Sequence, residues 1–398
     1  MVEFDKEEVT QMVTRSIDDF IDRVVEPLEE EHRDLLVPDY HRLDEDGFLK
    51  PAVREAMKTV RRQSGEDGFW GMHMPETVGG GDISNRALAQ TIQHIYSHGL
   101  GLNVHIIENA PGPHPAMLEL EDELREQYLE PLTKGELSAC FCFTESSSGS
   151  DALDMDTRAE KDGDQWVING SKMWITNAPY ADFGQVIAVT DPEASGSKHA
   201  SAFLFDTDAP GFSVIRSNRT IYNDGMQAEV EFDDLRVPAR NLIGERGEGV
   251  TLAMETINEG RVRIGARCAG LMSFLLEQAV DYASERTSWG QPIGTRQHIR
   301  GMIADIATWQ KTTETLVLNA AWLIDQGENP VKESAMAKYY GTEMLFRAAD
   351  NAVQVFGANG LTYDYPIQRI LRYARLMRIP EGTSEIQQET IASEVGLD

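Results

Sequence analysis

Apolar positions recur every three or four residues from the start of the chain to about residue 133, in stretches such as 9–28 and 118–132, so this part is predicted to be helical. The run Val78-Gly79-Gly80-Gly81-Asp82 interrupts the period. Triple glycine can cradle phosphate, but no strand ending in a Lys-Ser/Thr signature accompanies it, and a tight turn between helices is expected. Between 134 and 245 the pattern becomes that of strands separated by turns. Residues 165–170 run into a turn, 186–190 and 202–205 are continuous apolar runs, and 229–232 alternates. The helical period returns after Gly249 in three long segments, 251–286, 297–326 and 331–356, whose apolar stripes and short connections predict a bundle. The chain is therefore read as α+β, with an N-terminal helical domain at 1–133, a central antiparallel β-domain at 134–245 and a C-terminal helix bundle at 246–398.

Composition is consistent with that plan and narrows the partners. A chain of 398 residues with 41% hydrophobic content can bury a sizeable core in two or three domains. It holds no run of eighteen apolar residues, so no membrane span is expected. The acidic start MVEFDKEEVTQ lacks an apolar signal region and points to the cytoplasm. Cys140, Cys142 and Cys268 form no C-x-x-C pair and are expected to be reduced and buried. The nine histidines show no H-E-x-x-H and no paired ligand spacing, so no metal site is expected. Charge changes the picture most: 66 acidic against 36 basic residues, only 10 of them lysine, give a formal net charge of −30. Such a surface repels nucleic acid and anionic lipid. Its self-repulsion is screened at molar salt, where the Debye length falls to about 3 Å, which reads as adaptation to high salt.

Candidate chemistry sits in three short runs. Near the end, Pro380-Glu381-Gly382-Thr383-Ser384-Glu385-Ile386-Gln387 puts a carboxylate on a glycine-containing loop. Ser384 and Gln387 fit the S-x-x-Q capping box, so a helix is predicted to begin there with Glu381 just outside it. The run FTESSSGSD from Phe143 to Asp151 gathers hydroxyls, a glycine and backbone donors. It can bind the polar part of a large cofactor, or be a plain Ser/Gly turn. About twenty residues later, KMWIT places Trp174 and Thr176 on a strand; standing alone, Trp174 reads as core.

Together these runs resemble the acyl-CoA dehydrogenase family of flavoproteins. FTESSSGSD is similar to that family's T-E-x-x-x-G-S-D stretch and KMWIT to its K-x-W-I-T strand. The resemblance continues through Glu285-Arg286, Gln297, QVFGANG from Gln354 to Gly360, and EGTSEIQ. It implies a helical, β and helix-bundle order, an FAD cofactor, an acyl-CoA substrate, electron-transfer flavoprotein as acceptor and a homotetramer. Residue by residue it implies that Phe141, Thr144 and Ser150 contact the flavin or the thioester ligand, and that Trp174, Ile175 and Thr176 lie along the isoalloxazine. Arg286, Gln297, Gln354 and Gly357 would hold the pyrophosphate and adenosine, partly across a subunit interface. Thr383 and Glu385 would touch FAD, Asn258 and Arg261 would lie near the CoA moiety, and Gly382 would approach the substrate.

The reaction so implied removes a proton from the α-carbon and a hydride from the β-carbon of an acyl thioester, giving the trans-2-enoyl-CoA. That assigns the base to Glu381, because a carboxylate in a water-poor pocket becomes a stronger base. Some relatives place the base on the first long C-terminal helix, at the position of Gly260 here. The alternatives are an oxidase or monooxygenase of the same fold, or a silent acyl-CoA-binding protein. The chain departs from the family pattern at Pro380, Ala358, Tyr373, Asp154 and Asn258, which leaves the acyl chain unread.

Overall fold

The computed structural model describes residues 8–108 and 111–397; the acidic run 1–7 lies outside them. Eight principal helices are α1 (Glu8–Phe20), α2 (Pro51–Glu66), α3 (Asn85–Tyr96), α4 (Gly249–Glu285), α5 (Gln297–Asp325), α6 (Val331–Phe356), α7 (Ile367–Met377) and α8 (Ser384–Glu394). Eight strands, β1 (Ala139–Cys142), β2 (Arg158–Asp162), β3 (Gln165–Thr176), β4 (Phe183–Val189), β5 (Ala200–Asp206), β6 (Phe212–Ser217), β7 (Gln227–Pro238) and β8 (Leu242–Ile243), form the main sheet. The chain divides into two compact units. One holds the N-terminal stretch through Glu31, Ile83–Val104 and the chain from Asn258 onward; the other holds His32–Asp82 and His105–Ile257.

In the first unit the long periodic segments became α4, α5 and α6, within two residues of the predicted limits. Their packing is close because small residues face one another: a Cβ on Gly341 of α6 would stand 3.4 Å from Cys268 Cβ and 3.5 Å from Gly265 Cα of α4. Ser84 caps α3, its Oγ accepting from the Ala87 N–H. The Asp325 carboxylate at the end of α5 accepts from the Asn85 and Arg86 N–H groups, so a negative charge meets the positive end of the α3 dipole. The single helix predicted over 9–28 is instead broken by a π turn at Ile21–Val25. There the Glu26 N–H reaches Ile21, and Pro27 next in line has no N–H to continue the α ladder.

In the second unit the strand order is β6-β7-β3-β2-β4-β5-β8, with β1 beside β4. The predicted antiparallel domain is a mixed sheet: β1 runs parallel to β4, and so does β2 where Arg158 meets Val189. An apolar run records burial and not direction, so this pairing was not legible. β4 is buried on both faces, Phe183, Ile187 and Val189 joining one cluster and Val186 and Ala188 the other. The first cluster takes Leu124, Leu129 and Leu132 from the 118–132 stretch; the second is closed by Trp166, Phe203, Phe205 and Phe232. The triple glycine is a turn, as expected. A Cβ on Gly80 would stand 1.9 Å from the Met74 carbonyl oxygen, so the loop needs glycine for close packing.

Candidate active site

Glu381 lies in the short connection between α7 and α8, and its conformation is unusual for a residue with a side chain. Its φ is +55° and that of Gly382 is +87°, two successive left-handed residues. Four side chains hold that geometry. Gln387 Nε2 donates to the carbonyls of both Glu381 and Gly382, at 3.0 and 3.1 Å. The Lys338 ammonium of α6 donates to Gly382 at 2.7 Å and to Arg378 at 3.3 Å. Arg261 Nε reaches the Glu381 carbonyl at 3.4 Å, while its Nη1 bonds the Asn258 side chain. Glu343 accepts from Arg378 and from the Ser384 hydroxyl, tying both ends of the connection to α6. Gln387, Lys338 and Arg261 are all buried.

The Glu381 carboxylate rests over Gly260 of α4. A Cβ at Gly260 would stand 2.0 Å from Glu381 Oε2 and 2.5 Å from Oε1. Gly260, the position at which the resemblance places the base of some relatives, has no side chain to collide with this carboxylate. Gly260→Ala is therefore expected to displace the acid by about 1 Å and to lower kcat/KM about 100-fold, the usual cost of misplacing a reacting group by that distance. Steady-state rates would check this; an unchanged kcat/KM would separate the carboxylate from the chemistry.

Burial pushes the Lys338 ammonium down to about 8, against the attraction of nearby Glu381. Free lysine titrates near about 10.4. Between those values the unfolded chain keeps a proton that the folded chain has released, so stability rises with pH across that window. Thermal midpoints from pH 7.5 to 10 should show this increment in the native chain and lose it in Lys338→Met. Identical slopes in both would show that Lys338 does not titrate there.

In the second unit, β1 runs into the FTESSSGSD loop, which is anchored from below. Lys172 of β3 is buried and donates to the Phe143 carbonyl at 2.9 Å and to Glu145 Oε1 at 2.8 Å. Glu145 in turn accepts from the Asp156 and Thr157 N–H groups. The Met173 N–H donates to the Thr144 carbonyl, stitching loop to strand. Just beyond, the β3–β7 register slips between Lys172 and Ile175, and Trp174 in this bulge has φ +63°. The ring is thrown outward and is 51% exposed, so the expectation of a core tryptophan is overturned. Ile175 is buried, which leaves its main chain for any cofactor contact, and Gln227 Nε2 donates to the Thr176 hydroxyl at 3.0 Å. Ser150 is exposed, Phe141 and Thr144 are half-buried, and a Cβ on Gly149 would meet nothing within 4 Å.

The remaining predicted residues group elsewhere in the first unit. Arg286 follows α4 directly, and Tyr282 one turn before it stacks on Phe356 at 4.1 Å, next to Gly357. Gln354 and Gly357 are exposed, and Gln297 opens α5. Gly357 has φ +62° and ψ −138°, a conformation open to glycine. Thr383, rather than Ser384, caps α8: its hydroxyl accepts from the Ile386 N–H, which frees Ser384 for Glu343 and Gln387 for the carbonyl clamp. Glu385 is exposed, its carboxyl held below the usual range by its own backbone N–H and the Thr383 side chain.

Three family models account for nearly the whole chain: "Acyl-CoA dehydrogenase, N-terminal domain" over residues 7–136, the middle domain over 140–235 and the C-terminal domain over 247–396. The chain belongs to the acyl-CoA dehydrogenase family. An acyl-CoA dehydrogenase of Bacillus subtilis is 37% identical over 336 residues, 83% of this chain and 88% of the relative. The caffeyl-CoA reductase-Etf complex subunit CarC of Acetobacterium woodii is 33% identical over 327 residues, 82% of this chain and 86% of the relative. The glutaryl-CoA complex of glutaryl-coenzyme A dehydrogenase matches with a TM-score of 0.89 at 28% identity, over 100% of this chain and 98% of that one. The FAD complex of PigA matches at 0.86 and 25% identity over the full length of both.

For a member of the acyl-CoA dehydrogenase family, the structure adds Lys338 and Glu343 around Glu381, and gives anchoring roles that the sequence did not assign to Gln387 there and to Lys172 with Glu145 under the serine-rich loop. Both lysines carried a signal. Each is a charge on the buried face of a periodic element, between Ala337 and Gly341 on α6 and within the apolar KMWIT run, in a chain with few lysines.

Proposed function

We propose that this chain is an FAD-dependent acyl-CoA dehydrogenase in which Glu381 removes the α-proton of an acyl-CoA thioester. The observation that carries the reading is the seating of the Glu381 carboxylate over Gly260, with the carbonyls of Glu381 and Gly382 tied down by Gln387 and Lys338. FAD, when bound, supplies the acceptor for the β-hydride. The outward Trp174, the open space at Gly149 and the anchored Thr144 of the second unit fit a planar group with a polar tail. Arg286, Gln297, Gln354 and Gly357 of the first unit are the residues that the family likeness assigns to the pyrophosphate and adenosine of FAD, partly across a subunit interface. The clamp holds the two peptides that follow the Glu381 N–H, the group that the family likeness directs at the thioester oxygen, where a fixed donor is worth about 3 to 4 kcal/mol. Arg261, Arg263 and Lys338 all lie close enough to Glu381 to interact with it electrostatically.

The same carboxylate, once protonated, serves the reverse reaction by returning a proton to the α-carbon, and the reductase relative favours that second reading. Electron-transfer flavoprotein as redox partner, a homotetrameric assembly and a cytoplasmic location belong to the proposal. Among the described residues no helix is long and apolar enough to cross a membrane. The test is to record the flavin spectrum of the purified protein and add a panel of acyl-CoAs and enoyl-CoAs without oxygen. Bleaching by one acyl-CoA supports dehydrogenation, and reoxidation of the reduced protein by an enoyl-CoA supports reduction. A protein that neither carries FAD nor responds would sink the enzyme reading.

We also propose that the charge of −30 is an adaptation to high salt. Raising KCl from about 0.1 M to about 2 M is expected to raise the thermal midpoint by several degrees, because the shortened Debye length screens acidic repulsion. A flat or falling midpoint would refute it.

A further inference from the structure

We propose that Asp18, His94 and His98 form a binding site for a borderline divalent transition metal, of the Zn2+, Co2+ or Ni2+ class, that bridges α1 to the end of α3. His94 lies in the last turn of α3 and His98 in the turn that follows it. Asp18, in the last turn of α1, points its carboxylate at both rings. His94 Nε2 lies 2.6 Å and His98 Nε2 3.2 Å from the same oxygen, Oδ1. All three ligand atoms fall within 4.8 Å of one another. Ligands about 2.0 to 2.2 Å from a metal stand about 3.0 to 3.5 Å apart in octahedral or tetrahedral geometry, so small rotamer changes would let all three meet one ion.

Other features make the site specific in chemistry. The two rings pack edge to face at 5.2 Å, which fixes their relative orientation before any ion arrives. Side-chain exposure of 21%, 36% and 47% for His94, His98 and Asp18 leaves room for water to fill the remaining coordination positions. Two imidazoles with one carboxylate select this metal class over Mg2+ and Ca2+, which prefer all-oxygen shells. The net charge of −30 raises the local concentration of any cation. A bare His–Asp ion pair is the competing account, and it makes different predictions. A metal here would staple two helices of the first unit, a structural role separate from the Glu381 chemistry.

The experiment uses the full-length holoprotein, stripped with EDTA and titrated with CoCl2 by visible absorption and with ZnSO4 by calorimetry and thermal melting. The native chain should bind one ion per chain saturably and gain thermal stability on binding. His98→Ala and Asp18→Asn, both at partly exposed positions, should fold, keep their flavin and acyl-CoA response, bind at least tenfold more weakly and lose the metal-dependent rise in midpoint. No saturable binding by the native chain, or equal affinity in both variants, would overturn the site and leave an ion pair alone.

Discussion

Glu381→Gln is expected to lower kcat/KM for the best acyl-CoA by about 10³- to 10⁴-fold while leaving fold and flavin content intact. The substitution isolates the proton-accepting step. Glutamine has nearly the same volume, so it fits the space above Gly260 that an alanine there would fill. Its main chain keeps the same clamp, because Gln387, Arg261 and Lys338 all bond carbonyls and none of these bonds requires the carboxylate. What disappears is a group able to take the α-proton. Single-turnover bleaching without oxygen would measure the step, and unaltered acyl-CoA affinity would show that binding survives. Bleaching at the native rate would sink the base assignment. An outcome in which flavin itself is lost would instead make Glu381 structural.

How legible the chain was depends on what each signal encodes. Helical period gave α4, α5 and α6 because those helices bury a continuous stripe over 26 to 37 residues, and a stripe that long cannot be confused with a strand. The start of α8 was readable to one residue. The cap was misassigned because Thr383 and Ser384 are adjacent hydroxyls, and only the backbone shows which one stands outside the helix. The parallel pairing of β1 with β4 and the bulge that turns Trp174 outward depend on register, which alternation does not record. At the site, the sequence named Glu381 and the loops through their family likeness, yet missed the devices that hold them. Lys338 lies 43 residues before Glu381, and Lys172 lies 27 after Glu145. Pairings of that range appear only once the chain has folded.

The second large effect concerns Lys172. Lys172→Met is expected to destabilise the protein by about 3 to 5 kcal/mol and to release flavin, because removing one partner of a buried ion pair strands the other. Burial works to raise the Glu145 carboxyl, and the Lys172 charge together with bonds from Lys172, Thr157 and Asp156 outweighs it and holds the group below its usual range. Without the ammonium, only the two backbone donors oppose burial. Burial lowers Lys172 in turn, against the attraction of Glu145, so the two charges depend on each other. Glu145→Gln should cost less, since the lysine can shed its proton while the glutamine carbonyl still accepts from the backbone. The double variant should then be more stable than the sum of the two single losses, the mark of a coupled pair. Urea unfolding of all four proteins, followed by flavin absorbance and by far-UV circular dichroism, separates loss of the loop from loss of the fold. A Lys172→Met protein within about 1 kcal/mol of the native chain, still holding its flavin, would show that the loop stands without its anchor.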